Sequence, residues 1–306
     1  MITSPIWLPV TLVAGGMQAW RTAVQRRVGK SLSVNGAGLV RYLYGLPFAL
    51  IMLAGYHALA APGAWPALGA YFWPFCLAGA VGQIIATNLL LMAFDEGNFV
   101  VGTAYSKTEA VQAALFSAIL LHDHLSLLTW AGIALGVAGV MVLATGGRAM
   151  TPLAFLRALG ERAAVYGIAS GTTFALAVIA IRRTTFEVAT ADHILAALVT
   201  LAATVTIQTL LQGGYVLLRE RGQMTRVLAS WRVSGQVGLL SSVGSACWFT
   251  GFATAPVALV RIVGQVEVAF TMAFAHFYLG ERMAKSEVAG LLIVAVGVVL
   301  ALAGTR

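Results

Sequence analysis

The chain has 306 residues, of which 59% are hydrophobic and only 10% are charged. Soluble domains carry about 25% charged residues, so this composition excludes a soluble globular protein and predicts an all-α integral membrane protein. The formal net charge of +8 would suit a nucleic-acid partner. However, the basic residues lie at the ends of apolar stretches and in short joints, so we expect no nucleic-acid binding.

Ten apolar stretches are each long enough to form a membrane-spanning helix, which needs about 20 residues. In chain order these predicted spans are 5–24, 34–56, 68–93, 98–121, 126–145, 163–182, 191–217, 233–253, 256–278 and 286–303. Arginines follow the first stretch and no basic segment precedes it, so we interpret it as a retained helix rather than a cleaved signal. The joints between the spans are too short to hold a separate soluble domain.

Few residues in the sequence suggest enzyme or metal chemistry. Cys76 and Cys247 fall inside apolar spans and are interpreted as packing thiols. The turn His122-Asp123-His124 lacks further clustered ligands, so we expect neither a metal nor another cofactor. The sequence has no nucleophile–base set and no phosphate-binding glycine loop, so no enzyme is expected. An intramembrane lipid-modifying enzyme that uses the His-Asp-His turn is the alternative from that class.

The sequence contains an internal repeat. A shift of 158 residues places Glu109 on Glu267. The same shift aligns three pairs of glycines, which are Gly132 with Gly290, Gly139 with Gly297 and Gly146 with Gly304. Near the start, a shift of 155 residues places Gly16 on Gly171. Each half then holds five spans, and an odd number of spans forces the second half into the opposite orientation, an inverted repeat typical of secondary transporters.

The two halves end in related segments. Residues 277–304 read FYLGERMAKSEVAGLLIVAVGVVLALAG, and residues 120–147 read LLHDHLSLLTWAGIALGVAGVMVLATGG. A Leu-Gly-Glu helix end followed by a glycine-spaced last helix resembles the drug/metabolite transporter superfamily, in particular its EamA-type ten-helix permeases. The resemblance covers essentially the whole chain and implies two inverted five-helix repeats, at 1–147 and 148–306. It also implies a permease that moves a small metabolite, preferably outward, across the bacterial inner membrane.

Two local features bear on helix packing. The fourth and ninth spans of such permeases often contain a proline, but here the corresponding segments read KTEAV and QVEVA, so a proline hinge is not expected. Gly132 and Gly136 form a small-xxx-small pattern in the fifth span, which lets backbones approach closely in lipid. The pattern fits packing within one chain or in a dimer, and the protein is expected to be a monomer or a homodimer.

Two carboxylates lie in the middle of predicted spans, where a charged group costs about 3 kcal/mol even on the mildest scale. Glu109 and Glu267 are repeat equivalents, and around the axis of an inverted repeat both would face one central cavity. Each could take up and release a proton, which would couple transport to the proton gradient, or bind a substrate ammonium group. A structural pair with Lys or Arg, or a hydrogen bond to a neighbouring helix, is the other interpretation.

Basic and amide side chains accompany these carboxylates. Lys107 lies two residues before Glu109, so their side chains point about 200° apart on a helix and cannot pair with each other. Arg261 and Gln265 share a helix face, and Gln265 is the repeat equivalent of Lys107. Such groups suit the carboxylate of an anionic or zwitterionic substrate, although Arg261 could instead reach the membrane interface.

Three further polar or aromatic residues in the spans are candidate substrate contacts. Arg41 in the second span is interpreted either as a partner for one of the two carboxylates or as an interfacial residue. Asn88 in the third span could contact substrate or hydrogen-bond across helices. Trp248 in the eighth span could stack on the apolar part of a ligand or simply pack.

The basic residues also predict an orientation. Four of the Lys and Arg residues are interpreted as intramembrane and are not counted, namely Arg21, Arg41, Lys107 and Arg261. Of the remaining 15, 12 lie in the joints between spans 1 and 2, 5 and 6, 7 and 8, and 9 and 10. The positive-inside rule places these joints in the cytoplasm and therefore both termini outside. Permeases of this kind are commonly drawn with both termini inside, so the two expectations conflict.

These features together predict a secondary transporter that works by alternating access, with the lipid bilayer, a small-molecule substrate and protons as its partners. The best-matched substrate is an amino acid or a related zwitterion. Exchange of an organic anion or organophosphate through Lys107 and Arg261 is the second transport hypothesis.

Overall fold

The computed structural model describes residues 4–29, 32–95, 105–122, 124–144, 160–279 and 285–304. This part of the chain is almost entirely α-helical and has no β-strand, only an isolated bridge between Leu68 and Val188. In chain order the helices are α1 (Trp7–Gly29), α2 (Val34–Leu43), α3 (Gly45–Leu59), α4 (Phe72–Asp95), α5 (Glu109–Leu120), α6 (Leu127–Ala144), α7 (Arg162–Phe186), α8 (His193–Arg219), α9 (Gln223–Ala229), α10 (Trp231–Thr254), α11 (Val257–Gly264), α12 (Val266–Leu279) and α13 (Lys285–Ala303). The predicted all-α fold is confirmed.

Five helical segments of the described chain are long and apolar enough to cross a membrane. They are Val34–Leu59, which comprises α2 and α3, then Phe72–Ala93 within α4, and the whole of α7, α8 and α10. Shorter apolar segments are Glu109–Leu120, Leu127–Val142 and Val288–Ala303. Every predicted span overlaps at least one helix, while the short helix α9 was not predicted. The count of ten spans stays a prediction.

The chain forms two compact units, and each unit draws on both sequence repeats. The described residues of the first unit fall within 85–176 and 256–306, and those of the second within 2–84 and 177–255. The boundary between them falls within α4 and within α7. The repeat boundaries predicted from sequence, 1–147 and 148–306, describe the relation between the two halves of the sequence and stay a prediction.

In the first unit, α6 packs against α13 with the two backbones almost touching. A Cβ atom added to Gly132 would lie 2.4 Å from the backbone nitrogen of Ala301, and one added to Gly297 would lie 2.5 Å from the backbone nitrogen of Gly136. No side chain fits at such distances, so glycine is required on both helices. The glycine pattern of the fifth span is therefore used for packing within the chain, as expected where lipid contact competes with helix contact.

In the second unit, the α2–α3 segment is interrupted at Tyr44, and α10 supports the interruption. A Cβ atom added to Gly238 of α10 would lie 2.4 Å from the carbonyl carbon of Tyr44. The hydroxyl of Ser242 donates a hydrogen bond of 2.7 Å to the carbonyl oxygen of Gly45. The Tyr44 hydroxyl donates to the carbonyl oxygen of Val227 at 3.0 Å. These contacts stabilise the interruption of the second predicted span, which the sequence pattern did not reveal.

Polar contacts tie both ends of α8 to the α2–α3 segment, which runs antiparallel to it. Glu220, just after α8, accepts hydrogen bonds from the Ser33 hydroxyl and from the Asn35 amide nitrogen, the latter at 2.6 Å. Asp192, just before α8, accepts a hydrogen bond of 3.0 Å from the Tyr56 hydroxyl. Its other oxygen caps the helix by accepting from the backbone nitrogens of residues 194 and 195, which are among the donors that a helix start leaves without partners.

Replacing Asp192 by alanine is expected to lower the free energy of unfolding by about 1 kcal/mol, because the N-terminal cap of α8 is lost. Asp192→Asn is the matched control, since an asparagine oxygen caps nearly as well. Thermal unfolding in detergent measures both variants. Equal midpoints for the alanine and asparagine variants would show that the cap contributes nothing.

Candidate functional site

Two ion pairs lie among the described residues of the first unit. Lys107 Nζ lies 3.2 Å from Glu267 Oε2, and Arg261 Nη2 lies 2.7 Å from Glu109 Oε1. Glu109 also interacts electrostatically with Lys107 and Glu267. In each pair the cation comes from one repeat and the carboxylate from the other. We call these four residues the charge quartet.

Each carboxylate of the quartet lies at the start of a half-helix. Glu109 is the first residue of α5, and Glu267 is the second residue of α12. The N–H groups of a first helical turn have no carbonyl partner within the helix and give this end a partial positive charge. The two half-helices therefore stabilise negative charge at equivalent positions of the two repeats.

A break in the fourth predicted span precedes Glu109. Residues 107 and 108 form a turn between the helical residues 105–106 and α5. The Thr108 backbone nitrogen donates to the carbonyl of Tyr105 at 3.2 Å, and the Thr108 hydroxyl donates to the same oxygen at 2.6 Å. The Gln112 amide nitrogen then donates to the Thr108 hydroxyl at 2.9 Å. A threonine that bonds three residues back thus tightens the chain at this point without a proline.

The equivalent break in the ninth span precedes Glu267. The helix α11 ends at Gly264, and the Gln265 backbone nitrogen donates to the carbonyl of Ile262 at 3.2 Å, again three residues back. Both breaks lie within predicted spans, 98–121 and 256–278, and neither break was predicted from the sequence. A single tight turn leaves the apolar composition unchanged, so hydropathy alone does not detect it.

Two glycines leave room for these breaks. A Cβ atom added to Gly171 of α7 would lie 3.0 Å from the Ser106 carbonyl oxygen and 3.3 Å from the Glu109 backbone nitrogen. A Cβ atom added to Gly136 of α6 would lie 3.0 Å from the side-chain oxygen of Gln265. Both glycines belong to patterns visible in the sequence, but neither was assigned to the site.

Gln265 is a buried amide next to the quartet in sequence. Its side chain is 5% exposed, and neither its Oε1 nor its Nε2 has a hydrogen-bond partner among the described residues. Leaving a buried polar group unpaired costs about 1–3 kcal/mol. Gln265 therefore gains a hydrogen bond when a polar molecule reaches it, which is the property expected of a binding residue.

The charge quartet is largely buried and electrically neutral. Its side chains are between 13% and 25% exposed. Two cations face two carboxylates, so the formal charges cancel. Removing one member leaves its partner as an uncompensated buried charge, which is strongly unfavourable. An entering molecule can therefore replace a member of a pair only if it offers a charge of the same sign.

The remaining predicted site residues are Asn88, Arg41 and Trp248. Asn88 is partly buried in α4, within the first unit. Arg41 and Trp248 belong to the second unit. The indole nitrogen of Trp248 donates to the Gln18 side-chain oxygen at 3.1 Å, and its ring stacks on Phe252 with a centroid separation of 5.8 Å. These are contacts of a packing residue, and its role toward a ligand stays a prediction.

Some residues singled out in the sequence lie outside the described ranges. They are Gly146 of the repeat, Asp123 of the His-Asp-His turn, and Gly280 and Glu281 of the Leu-Gly-Glu helix end. Thr103, whose position lies on the same helix face as Lys107, is outside these ranges as well. Within the described ranges, no group of three or more His, Cys, Asp or Glu side chains is placed to hold a metal ion.

A small cavity inside the second unit was not predicted from the sequence. Its volume is about 10 Å³, which is room for about one water molecule. We call it the second-unit cavity; its polar lining residues are Arg41, Gln83, Gln208, Ser241, Ser242 and Ser245. Glutamines inside apolar spans were the available signal, and the repeat adds another, because the shift of 158 residues places Gln83 on Ser241.

Comparison with known proteins identifies the family. The sequence profile of the EamA-like transporter family matches residues 5–145 and again residues 162–303. The chain belongs to the EamA-like transporter family. The match of one profile to each half agrees with the predicted repeat and the EamA resemblance. Members of the EamA-like family are transporters rather than enzymes, and the apolar helices make this member a multi-pass membrane protein.

A solved structure supports the fold of this EamA-like protein. It is described only as "Crystal structure of protein", and it superposes with a TM-score of 0.69 at 16% sequence identity, covering 98% of this chain and 96% of that chain. At this identity the likeness shows the fold alone. No curated protein matches the chain.

Proposed function

We propose that this EamA-like transporter moves a small polar metabolite by alternating access, and that the charge quartet together with Gln265 forms its binding and coupling site. The observation that supports this proposal is the pairing of two repeat-related carboxylates, each beside a break in its helix, with cations from the opposite repeat. Inverted repeats with interrupted helices are the setting in which secondary transporters bind substrates and coupling ions.

A zwitterion such as an amino acid fits the site best. The quartet is neutral, so a substrate that brings one positive and one negative group leaves the net charge of the site unchanged. Its carboxylate can replace Glu109 on Arg261, where a guanidinium offers two parallel hydrogen bonds. Its ammonium group can replace Lys107 on Glu267. The buried amide of Gln265 supplies a further donor and acceptor.

Proton coupling follows from the same pairs. Deprotonated Glu267 can hold the substrate ammonium group in place of Lys107. Protonation of Glu267 removes this negative charge and releases the ammonium group, so a proton and the substrate compete for the same carboxylate. Competition of this kind couples the entry of a proton to the exit of the substrate. We further propose that the protein works as an exporter in a bacterial inner membrane, with the arginine-rich joints in the cytoplasm.

Exchange of an organic anion or organophosphate is the second candidate. It is supported by the presence of Lys107 and Arg261 within one site. An anion would have to compete with a carboxylate already in place at 2.7 Å from Arg261 and at 3.2 Å from Lys107. The neutrality of the quartet therefore favours the zwitterion.

Flux measurements in liposomes test both candidates. Purified protein is reconstituted with a pH gradient and offered labelled amino acids, other zwitterions and organic anions in turn. We expect the wild type to accumulate a zwitterion against its gradient, and Glu267→Gln to equilibrate it without accumulation, because the variant cannot exchange a proton at this position. Glu161→Gln, which changes an exposed carboxylate at the start of α7, is the matched control and should behave as the wild type.

Two results would contradict the leading proposal. One is proton-driven accumulation by Glu267→Gln at the wild-type level. The other is movement of organic anions alone, abolished by Arg261→Gln or Lys107→Gln but tolerant of Glu109→Gln, which would establish the anion exchanger instead.

A further inference from the structure

We propose that the joint between α8 and α10 binds the headgroups of anionic phospholipids. The binding surface consists of four exposed arginines, which we call the arginine patch; they are Arg219, Arg221, Arg226 and Arg232. The inference does not rest on the transport proposal, because the patch shares no residue with the charge quartet.

The arginine patch carries a positive charge that no ion pair within the described chain neutralises. Glu220 is the one carboxylate between residues 219 and 232, and it accepts hydrogen bonds from Ser33 and Asn35. None of the four guanidinium groups forms an ion pair with a carboxylate of the described residues. The joint is therefore strongly positive and offers its guanidinium groups to an external anion.

The patch belongs to a folded platform, because α9 is held from its inner side. Val227 of α9 is fully buried in a hydrophobic cluster with residues of α2. The Gln223 side-chain oxygen accepts a hydrogen bond of 3.2 Å from the Ser33 backbone nitrogen. The Tyr44 hydroxyl donates to the carbonyl oxygen of Val227 at 3.0 Å. A binding surface that is already ordered loses less conformational entropy when a ligand binds, which raises its affinity.

Apolar residues place the patch at the level of the lipid headgroups. Leu217 and Leu218 in the last turn of α8 are 62% and 77% exposed, and α8 is long and apolar enough to cross a membrane. Trp231 at the start of α10 is 60% exposed, and the guanidinium carbon of Arg232 lies 5.5 Å from the centre of its ring. Tryptophan is enriched at the interface between membrane and water. The arginines therefore lie where lipid phosphates are found.

An anionic phospholipid matches both the charge and the apolar border of the patch. A guanidinium binds phosphate oxygens through two parallel hydrogen bonds, while the acyl chains of the same molecule lie against the exposed leucines. A zwitterionic headgroup also brings an ammonium group, which the arginines repel. Clusters of four or more basic residues beside a membrane helix bind anionic lipids for this reason. A soluble anion would use the arginines alone.

Thermal unfolding in detergent with added lipid tests the proposal. The wild type is titrated with phosphatidylglycerol or with phosphatidylcholine that carries the same acyl chains. A ligand that binds only the folded state stabilises it by mass action. We therefore expect phosphatidylglycerol to raise the unfolding midpoint saturably, by roughly 3 °C at about ten times its dissociation constant, and phosphatidylcholine to leave it unchanged. Sodium chloride at about 0.5 M should weaken the effect, because salt screens exposed charges.

Two double variants assign the effect to the patch. Arg221→Gln combined with Arg226→Gln should raise the apparent dissociation constant for phosphatidylglycerol about 25-fold, or about fivefold for each arginine removed. Arg162→Gln combined with Arg183→Gln is the matched control, because it removes the same charge from two exposed arginines outside the joint. The control should keep the wild-type dissociation constant.

Three results would overturn the proposal. Equal midpoint shifts with phosphatidylglycerol and phosphatidylcholine would mean that the charge of the headgroup is not recognised. An equal loss of affinity in both double variants would mean that the overall charge of the protein, and not the patch, attracts the lipid. The same shift with inorganic phosphate alone would assign the patch to a soluble anion.

Discussion

Replacing Glu109 by glutamine is expected to lower transport at least tenfold and the free energy of unfolding by about 3 kcal/mol, because Arg261 keeps its buried charge but loses a partner at 2.7 Å. Arg261→Gln is expected to have the same two effects. The double variant Glu109→Gln, Arg261→Gln should recover most of the lost stability, since no uncompensated charge is left. It should not recover transport, because the groups that bind substrate are gone.

This double-mutant cycle separates the structural role of the pair from its transport role. Stability is measured by unfolding in detergent and transport by flux into liposomes, with Glu161→Gln as the control for loss of an exposed carboxylate. A coupling energy below about 0.5 kcal/mol would mean that the two residues act independently and that the pair does not form in the resting protein. Recovery of flux in the double variant would restrict Glu109 and Arg261 to a structural role.

A second large effect is expected at the contact of α6 with α13. Gly132→Ala places a Cβ atom 2.4 Å from a backbone nitrogen of Ala301, a distance that two packed atoms cannot adopt, so the helices must move apart. Overpacking of this kind costs about 3 kcal/mol, and Gly132→Leu should prevent folding altogether. The measurement is the yield of monodisperse protein after extraction, together with its unfolding midpoint.

Gly55 in α3 provides the matched control. A Cβ atom added there meets no other atom within 4 Å, so Gly55→Ala should be neutral or stabilising by up to about 1 kcal/mol, as alanine favours the helix. If Gly132→Ala and Gly55→Ala shift the unfolding midpoint alike, the close approach of the two backbones is not what holds α6 against α13.

Hydropathy and the internal repeat predicted the helical fold because both are properties of long stretches of sequence rather than of single residues. The apolar stretches mark helices, and the matching of Glu109 with Glu267 follows from a constant shift along the chain. The interruptions at Tyr44, Thr108 and Gln265 were missed. Each interruption depends on one or two hydrogen bonds that replace the regular backbone bonds of the α-helix. The residues that make these bonds also occur in unbroken helices, so their identity does not reveal an interruption.

The candidate site was predicted in part for the same reason. Charges in the middle of spans are visible in any sequence, so the four members of the quartet could be named. Their partners could not, because pairing depends on which helices lie side by side. The second-unit cavity was missed because serine and glutamine are tolerated in membrane helices for ordinary packing, and only their convergence on one space distinguishes them.

The crossed pairing of the quartet also bears on how such a protein can arise. Glu267 is the repeat equivalent of Glu109. The first half therefore already contains both residue types of the pair between Lys107 and Glu267, as Lys107 and Glu109. A single five-helix ancestor that carried Lys107 and Glu109 could therefore neutralise its buried charges by pairing with an oppositely oriented copy of itself. Arg261 stands where the first half has Thr103, so the second pair needs a cation that the first half lacks at that position. Gene fusion followed by two changes, the gain of Arg261 and the replacement of the second lysine by Gln265, would convert two identical pairs into two different ones, and only then could the two carboxylates take separate tasks.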